Sequence, residues 1–285
     1  MGDLKISVWD VKHGNAIYVR TPNNKHLVFD LGRGDYSENS EDRSPLETLY
    51  YHYGIRQIDF LTITHPHRDH IDDILNLHKF AVSVFHRPRN LNQTAIINAS
   101  SDRDKAKFEK FFAMDAHYIG DITGTSRDTR IPPNYGDVEI QFFQTANLTD
   151  NLNNRSILTV LKYEDMKIII PGDNECPSLD QLMNRDDFKS AVKNSDILIA
   201  PHHGRYSAYH SEFVKLVNPR ISIVSDGSIC DTSANQYYSA NSRGWEIWKN
   251  GTKIKRYLLT TNSDGEIYIN LGSGLSGRYL KVEIK

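Results

Sequence analysis

His65-Pro66-His67-Arg68-Asp69-His70 follows directly on the run Ile58-Asp59-Phe60-Leu61-Thr62-Ile63-Thr64. The run reads as a short buried strand. Three imidazoles and a carboxylate then fall within six residues, in a loop at the strand's C-terminal end. Such a loop can aim its side chains at two neighbouring points. Imidazole suits borderline divalent metals and carboxylate suits harder ones. His65 and His67 could hold one ion, Asp69 and His70 a second. The stretch also reads as opening a helix, with Asp72 and Asp73 in its first turn and Ile71, Ile74, Leu75 and Leu77 inward.

Three further stretches repeat the pattern of an apolar strand ending at a ligand-type residue: Val28-Phe29-Asp30-Leu31-Gly32, Ile168-Ile169-Ile170-Pro171-Gly172-Asp173, and Ile197-Leu198-Ile199-Ala200-Pro201-His202-His203-Gly204. Taken singly, Asp30 or Asp173 reads as a turn residue or helix cap. Taken together with the first motif, these stretches supply a bridging carboxylate and a distal imidazole.

Strands are expected at Leu4–Trp9, Ala16–Arg20 and His26–Leu31, with a turn at 21–25. Ser44-Pro45-Leu46-Glu47 carries an N-cap, a first-turn proline and a capping-box glutamate, so a helix follows until Gly54. Between Asn90 and Tyr135 one helix is expected, at about 102–116. Further strands are expected at 138–144, 157–163, 167–170, 196–200 and 221–225. Lys253–Leu259 and Glu266–Leu271 read as a closing hairpin. The pattern fits an α/β class: an αββα sandwich of two mixed β-sheets flanked by helices.

The chain has 285 residues, with 34 Lys+Arg against 36 Asp+Glu and a formal charge of −2. Length alone allows two domains, but one α/β domain over 1–285 fits equally well. The balance of charge excludes a generally basic nucleic-acid coat, although not an enzyme that meets phosphates through metal ions. Two segments are mildly basic, 79–130 and 243–285, at net +3 and +4. They read either as scattered solvated charge or as a phosphate-binding rim. Cys176 and Cys230 form neither a metal-binding spacing nor a disulfide framework. No signal peptide and no membrane-spanning run is read, which makes a reducing cytoplasm the expected location.

In the order Asp30-Leu31-Gly32, His65-x-His67-x-Asp69-His70, Pro171-Gly172-Asp173 and His202-His203-Gly204, the chain resembles the metallo-β-lactamase fold superfamily. More narrowly it resembles the ComEC-type branch, related to the DNA-uptake channel protein. That branch's opening Asp-Val-Gly-x-Gly-Asp stands here as Asp10-Val11-Lys12-His13-Gly14-Asn15. Its Asn-x-x-Ser stands as Asn153-Asn154-Arg155-Ser156, and its closing element as Thr261-Asn262-Ser263-Asp264-Gly265-Glu266-Ile267.

The resemblance implies two divalent metal ions, zinc or manganese. His65 and His67 would bind the first, and Asp69 and His70 the second. Asp173 would bridge them, and His203, favoured over His202, would complete the second site. Asp30 would orient the histidine loop from below. Asp69, Asp173 and His203 are the catalytic candidates; Arg68, His202 and Ser207 could hold a substrate anion or be surface residues.

The chain departs from the pattern at two places. Many members place a histidine where this chain has Asn153-Asn154. An amide ligand there, Asn153 or Asn154, would loosen the first site or favour manganese. Asn15 replaces the branch's second acidic residue, leaving His13 as a substrate contact or a surface residue. The implied activity is a phosphodiesterase or nuclease on nucleic acid or nucleotides. The alternatives are hydrolysis of a non-nucleotide ester, lactone or thioester, or a metal-binding regulatory module. A separately encoded protein partner is compatible with the sequence but not identified by it.

Overall fold

Alternation along the strands accounts for the architecture. In Met166–Ile170, Ile168 and Ile170 point one way and Ile169 the other, and all three are buried. A strand that is apolar on both faces must lie between two layers. The computed structural model describes residues 2–33, 44–146, 151–227 and 231–285; Cys230 lies outside them.

Among the described residues, one sheet has nine strands. Their spatial order is Thr252–Arg256, Trp245–Lys249, Gly277–Ile284, Ile267–Gly274, Leu4–Val8, Ile17–Arg20, His26–Phe29, Phe60–Thr62 and Phe85–His86. The other has six: Leu258–Thr260, Ile221–Val224, Ile197–Ile199, Met166–Ile170, Leu158–Tyr163 and Glu139–Phe143. Both mix parallel and antiparallel pairs.

Ile6, Ile17, Val19 and Phe29 of the first sheet pack against Ile168, Ile170, Ile197 and Ile223 of the second. On the far side of the first sheet, Val28, Leu61 and Ile63 pack with Leu49, Ile74 and Phe111 from 45–52, 74–79 and the helix Lys105–His117. On the far side of the second, Ile169, Leu198 and Val224 pack with Leu179, Phe188 and Phe213 from the helices Cys176–Met183, Asp186–Val192 and Ser211–Val217. The fold is therefore αββα, the class expected.

Several local expectations need correction. The helix after the histidine loop is Arg68–Ile71, with extended His67 at its N-cap, so Asp69 and not Asp72 or Asp73 sits in its first turn. Asp73 instead receives hydrogen bonds from Ser44 Oγ (2.6 Å) and Leu46 N (2.9 Å), tying the 44–47 helix start to this loop. Ser44 caps that helix as expected, accepting from Glu47 N. The run 58–64 divides. Gln57–Ile58 pairs with Ala81–Val82, and Phe60–Thr62 joins the large sheet, because Asp59 turns aside to accept from His26 N and Lys25 Nζ. Between 90 and 135 there are two helices, Gln93–Ala99 and Lys105–His117.

The expected closing hairpin is absent. Thr252–Arg256 pairs with Trp245–Lys249, and after Tyr257 the chain crosses sheets, so that Leu258–Thr260 runs parallel to Ile221–Val224. Arg256 pairs with Asp264 across the helical turn Thr261–Asp264, which returns the chain to the large sheet. The hairpin that does form joins Ile267–Gly274 to Gly277–Ile284.

Candidate metal centre

Parallel strands deliver their C-terminal ends to one edge of a sheet, and ligands gather there. In the large sheet His26–Phe29 and Phe60–Thr62 are parallel, so Asp30 and the 65–70 loop emerge together. In the smaller sheet Met166–Ile170, Ile197–Ile199 and Ile221–Val224 are parallel and deliver Asp173, His202-His203 and Asp226.

The tight turns there need unusual backbone. Gly172 has φ +59°, and a Cβ on it would lie 2.7 Å from Thr64 Cβ. His202 and His203 themselves take left-handed φ of 47° and 52°. That pair of conformations turns the two rings to different surroundings.

Ligand atoms of Asp69, His70, Asp173 and His203 all lie within 4.8 Å of one another. His70 Nε2 is 3.2 Å from Asp173 Oδ1, and His203 Nε2 is 3.0 Å from Asp69 Oδ2 and 3.5 Å from Asp173 Oδ2. His65 Nε2 adjoins this set at 3.7 Å from Asp173 Oδ2, and His67 Nδ1 lies 3.0 Å from His65 Nε2.

The opposite ring nitrogens are held from behind. His70 Nδ1 donates to Asp30 Oδ2 at 2.8 Å, His203 Nδ1 donates to Ser225 O at 2.9 Å, and His65 Nδ1 lies 3.2 Å from Ser156 Oγ. A fixed Nδ1–H leaves Nε2 with its lone pair facing the cluster, which is how metal-binding imidazoles are oriented. His70 Nε2 is buried without a hydrogen-bond partner. The donor set and this unpartnered nitrogen fit a divalent cation.

Electrostatics point the same way. Burial, with His70 beside it, holds His65 well below the usual histidine range, and burial lowers His67. Both are therefore neutral, the form that binds metals. Burial opposes charge on His70 and His203, but the facing carboxylates outweigh it. Asp173, Asp30 and Asp69 hold His70 well above its usual range, and Asp173 and Asp69 raise His203 to about 10. Asp69 and Asp173 are depressed in turn: burial alone would raise them, but the histidines, His70 foremost, prevail. Two buried carboxylates thus demand positive charge, and protons on imidazole or a divalent cation meet the same demand.

Asp30 is wholly buried beneath the cluster. Besides His70 it accepts from Thr64 N (2.7 Å), Thr64 Oγ1 (2.9 Å) and Asn15 Nδ2 (2.9 Å). Asn15 is thereby explained, since a second acid at that position would repel Asp30. Gly14 allows the 10–15 turn to approach the histidine loop, where a Cβ would lie 2.7 Å from Asp69 O.

The remaining candidates lie at the margin or outside it. His202 Nε2 is 3.9 Å from Asp173 Oδ2, and its Nδ1 is 3.1 Å from Glu175 Oε1 and 3.2 Å from Ser207 Oγ. Asn153 is buried with its Oδ1 unpartnered and its Nδ2 3.5 Å from Glu175 Oε1; it makes no hydrogen bond to His65 or His67. Asn154 is committed to bracing, its Oδ1 accepting from Glu175 N. Arg68 Nε lies 3.2 Å from Asp104 and 3.7 Å from Asp72, among the acidic partners of Lys107.

His13 reaches the cluster. Its Nδ1 is 2.8 Å from Asp226 Oδ1, its Nε2 is 3.6 Å from Asp69 Oδ2, and its ring lies 4.5 Å from that of His203. Sequence reasoning missed Glu175 and Asp226. Glu175 stands two residues past Asp173, and Asp226 just past the strand 221–224, the same strand-end position that marked Asp30.

Residues 9–225, well over half of the chain, match the family described as Metallo-beta-lactamase superfamily. Among solved structures, one from Thermotoga maritima assigned to that superfamily is 12% identical, with a TM-score of 0.43, covering 90% of this chain and 97% of the other. The hydrolase AbOPH, of the beta lactamase superfamily, is 20% identical with a TM-score of 0.33, covering 56% of this chain and 55% of the other. None of the curated proteins matches this chain.

Proposed function

This chain belongs to the metallo-beta-lactamase superfamily of hydrolases, and from that premise we propose that it is a metal-dependent phosphodiesterase acting on nucleic acid or nucleotides, as in the ComEC-type branch. The observation that carries this reading is the convergence of Asp69, His70, Asp173 and His203, with His65 and His67 beside them. Here His65 and His67, with the Asn153 amide nearby, would hold one divalent ion, zinc or manganese. Asp69, His70 and His203 would hold the other, with Asp173 between. Such ions supply Lewis acidity toward a substrate oxygen and lower the pKa of an attacking water.

The chain's own groups do the rest. Asp69 accepts a hydrogen bond from the attacking water. Asp226 fixes His13 Nδ1, so that Nε2 turns toward Asp69 and the cluster, where it would meet a substrate oxygen. His202 and Ser207 stand at the rim to meet a non-bridging oxygen. On this reading the enzyme works in a reducing cytoplasm, alone or with a separately encoded protein.

The test combines metal analysis with a substrate screen on one preparation. Protein loaded with manganese or zinc should cleave single-stranded DNA, RNA, a cyclic nucleotide or bis(p-nitrophenyl) phosphate. Turnover of an ester, lactone or thioester alone would replace the substrate class. Stoichiometric metal without any turnover would leave a regulatory module.

A further inference from the structure

Among the described residues, helices cover the outer face of the nine-stranded sheet only where His26–Phe29, Phe60–Thr62 and their neighbours lie. Beyond Ile17–Arg20, among the described residues, no helix packs on that face. Residues paired across strands share a face, so the register shows what it presents. One row runs Lys253, Trp248, Glu283, Tyr268, Ser7, Tyr18. The next runs Lys281, Asn270, Lys5, Arg20, His26.

Aromatic rings of the first row adjoin cations of the first row and its neighbours. Lys253 and Lys281 lie 5.4 and 5.6 Å from the Trp248 ring, and Lys285 lies 5.0 Å from that of Tyr268. Glu246 and Glu283 neutralise Lys253 and Lys281. Lys5, Arg20, Arg56, Lys255 and Lys285 have no carboxylate within 4 Å among the described residues. Four of these five sit on or beside one open groove of about 810 Å³, between Lys5, Arg20 and Lys285 on the sheet and Arg56 on the opposite wall.

We propose that this uncovered face binds single-stranded nucleic acid, its phosphates on the unpaired cations and its bases against Trp248 and Tyr268. Strands stand about 4.8 Å apart, so a row across six of them spans about 24 Å, room for several nucleotides. Aromatic faces reward exposed bases, which a duplex keeps stacked inside. An acidic protein would pair with the lysines but leave the rings unused. A lipid surface would call for protruding apolar groups, whereas Trp248 lies half-buried between Lys253 and Lys281, and Tyr268 half-buried between Lys285 and the carboxylates of Glu266 and Glu283. The inference does not rest on hydrolysis at the strand ends, since binding here needs neither those residues nor a metal.

Fluorescence anisotropy of the full chain in EDTA, with a labelled oligothymidylate, tests this. Saturable binding is expected, weakening at least about tenfold between about 50 mM and about 200 mM salt. The variant Lys5→Glu/Arg20→Glu/Lys255→Glu/Lys285→Glu should lose at least about tenfold in affinity. The milder Lys255→Gln/Lys285→Gln should lose less, with unchanged circular dichroism in both. Hydrolysis of bis(p-nitrophenyl) phosphate by the metal-loaded variants should match the parent, which separates failure here from failure of the metal centre. The proposal is overturned by absence of binding in low salt, by affinity indifferent to charge reversal, by equal affinity for the duplex, by equal displacement with polyglutamate, or by preference for phosphatidylserine vesicles.

Discussion

At the strand ends, His65, His70, Asp173 and His203 are almost wholly buried, and each of the three rings is held from behind. On the outer face of the large sheet, Lys253, Lys255 and Lys285 stand in solvent with few fixed contacts. Both regions gather charge, but the first does so in low dielectric, where one lost partner leaves an uncompensated ion. The second does so in water, where each charge contributes little and the contributions nearly add. Geometry is therefore critical in one region and density of charge in the other.

The comparison can be broken most directly at the metal centre. His67→Ala/Asp69→Ala should lower kcat/KM by about a thousandfold or more, equivalent to about 4 kcal/mol of barrier, together with bound metal. Steady-state kinetics and elemental analysis on the same sample check this. A variant that keeps its metal and its rate would show that the clustered side chains are not the working set.

Asp30→Ala comes next. It strands a buried His70 and removes the acceptor of Thr64 and Asn15, so a loss of about 3–5 kcal/mol in urea unfolding is expected, with metal affinity down about 10–100-fold. The result sharpens the contrast if Asp30→Asn recovers much of the stability but little of the metal affinity.

Asp73 gives a pH signature to the buried side. Burial pushes its carboxyl up to about 6, against hydrogen bonds from Ser44, Asn76 and Leu46 N. Between about pH 4 and about pH 6 the native state then holds a proton that the unfolded chain has released. Stability from this group is greatest below pH 4 and falls by about 3 kcal/mol as pH rises to 6. Asp73→Asn should remove that slope from a denaturation series run at several pH values.

The smallest effect belongs to the open face. Lys255→Glu or Lys285→Glu should change the unfolding free energy by less than about 0.5 kcal/mol. A larger loss in thermal or urea unfolding would mean that this face is a structural element rather than a free surface.

Much was legible in advance because it depends on local chemistry. Apolar runs buried on both faces, such as 166–170 and 197–199, announce strands between layers. Ser44-Pro45-x-Glu47 announces a helix start. The dense histidine loop behind a strand announces ligands. Less legible was the run 253–259, whose composition suits one hairpin yet serves both sheets, because the ion pair of Arg256 with Asp264 is made only after the chain has crossed. His202 and His203 are adjacent and chemically equal. Their left-handed backbone sends one ring among Asp69 and Asp173 and the other toward Glu175. Glu175 and Asp226 carry no motif of their own.

Residue type and spacing by themselves determined the layered α/β class and which side chains were chemically able to bind a cation. The tertiary structure alone decided which of them meet, which ring nitrogen faces the cluster, and that part of one sheet lies uncovered by the described residues. The physical reason is range. Strand propensity and capping act over a few residues, whereas coordination geometry and burial depend on contacts between residues as far apart in the chain as Asp69 and His203.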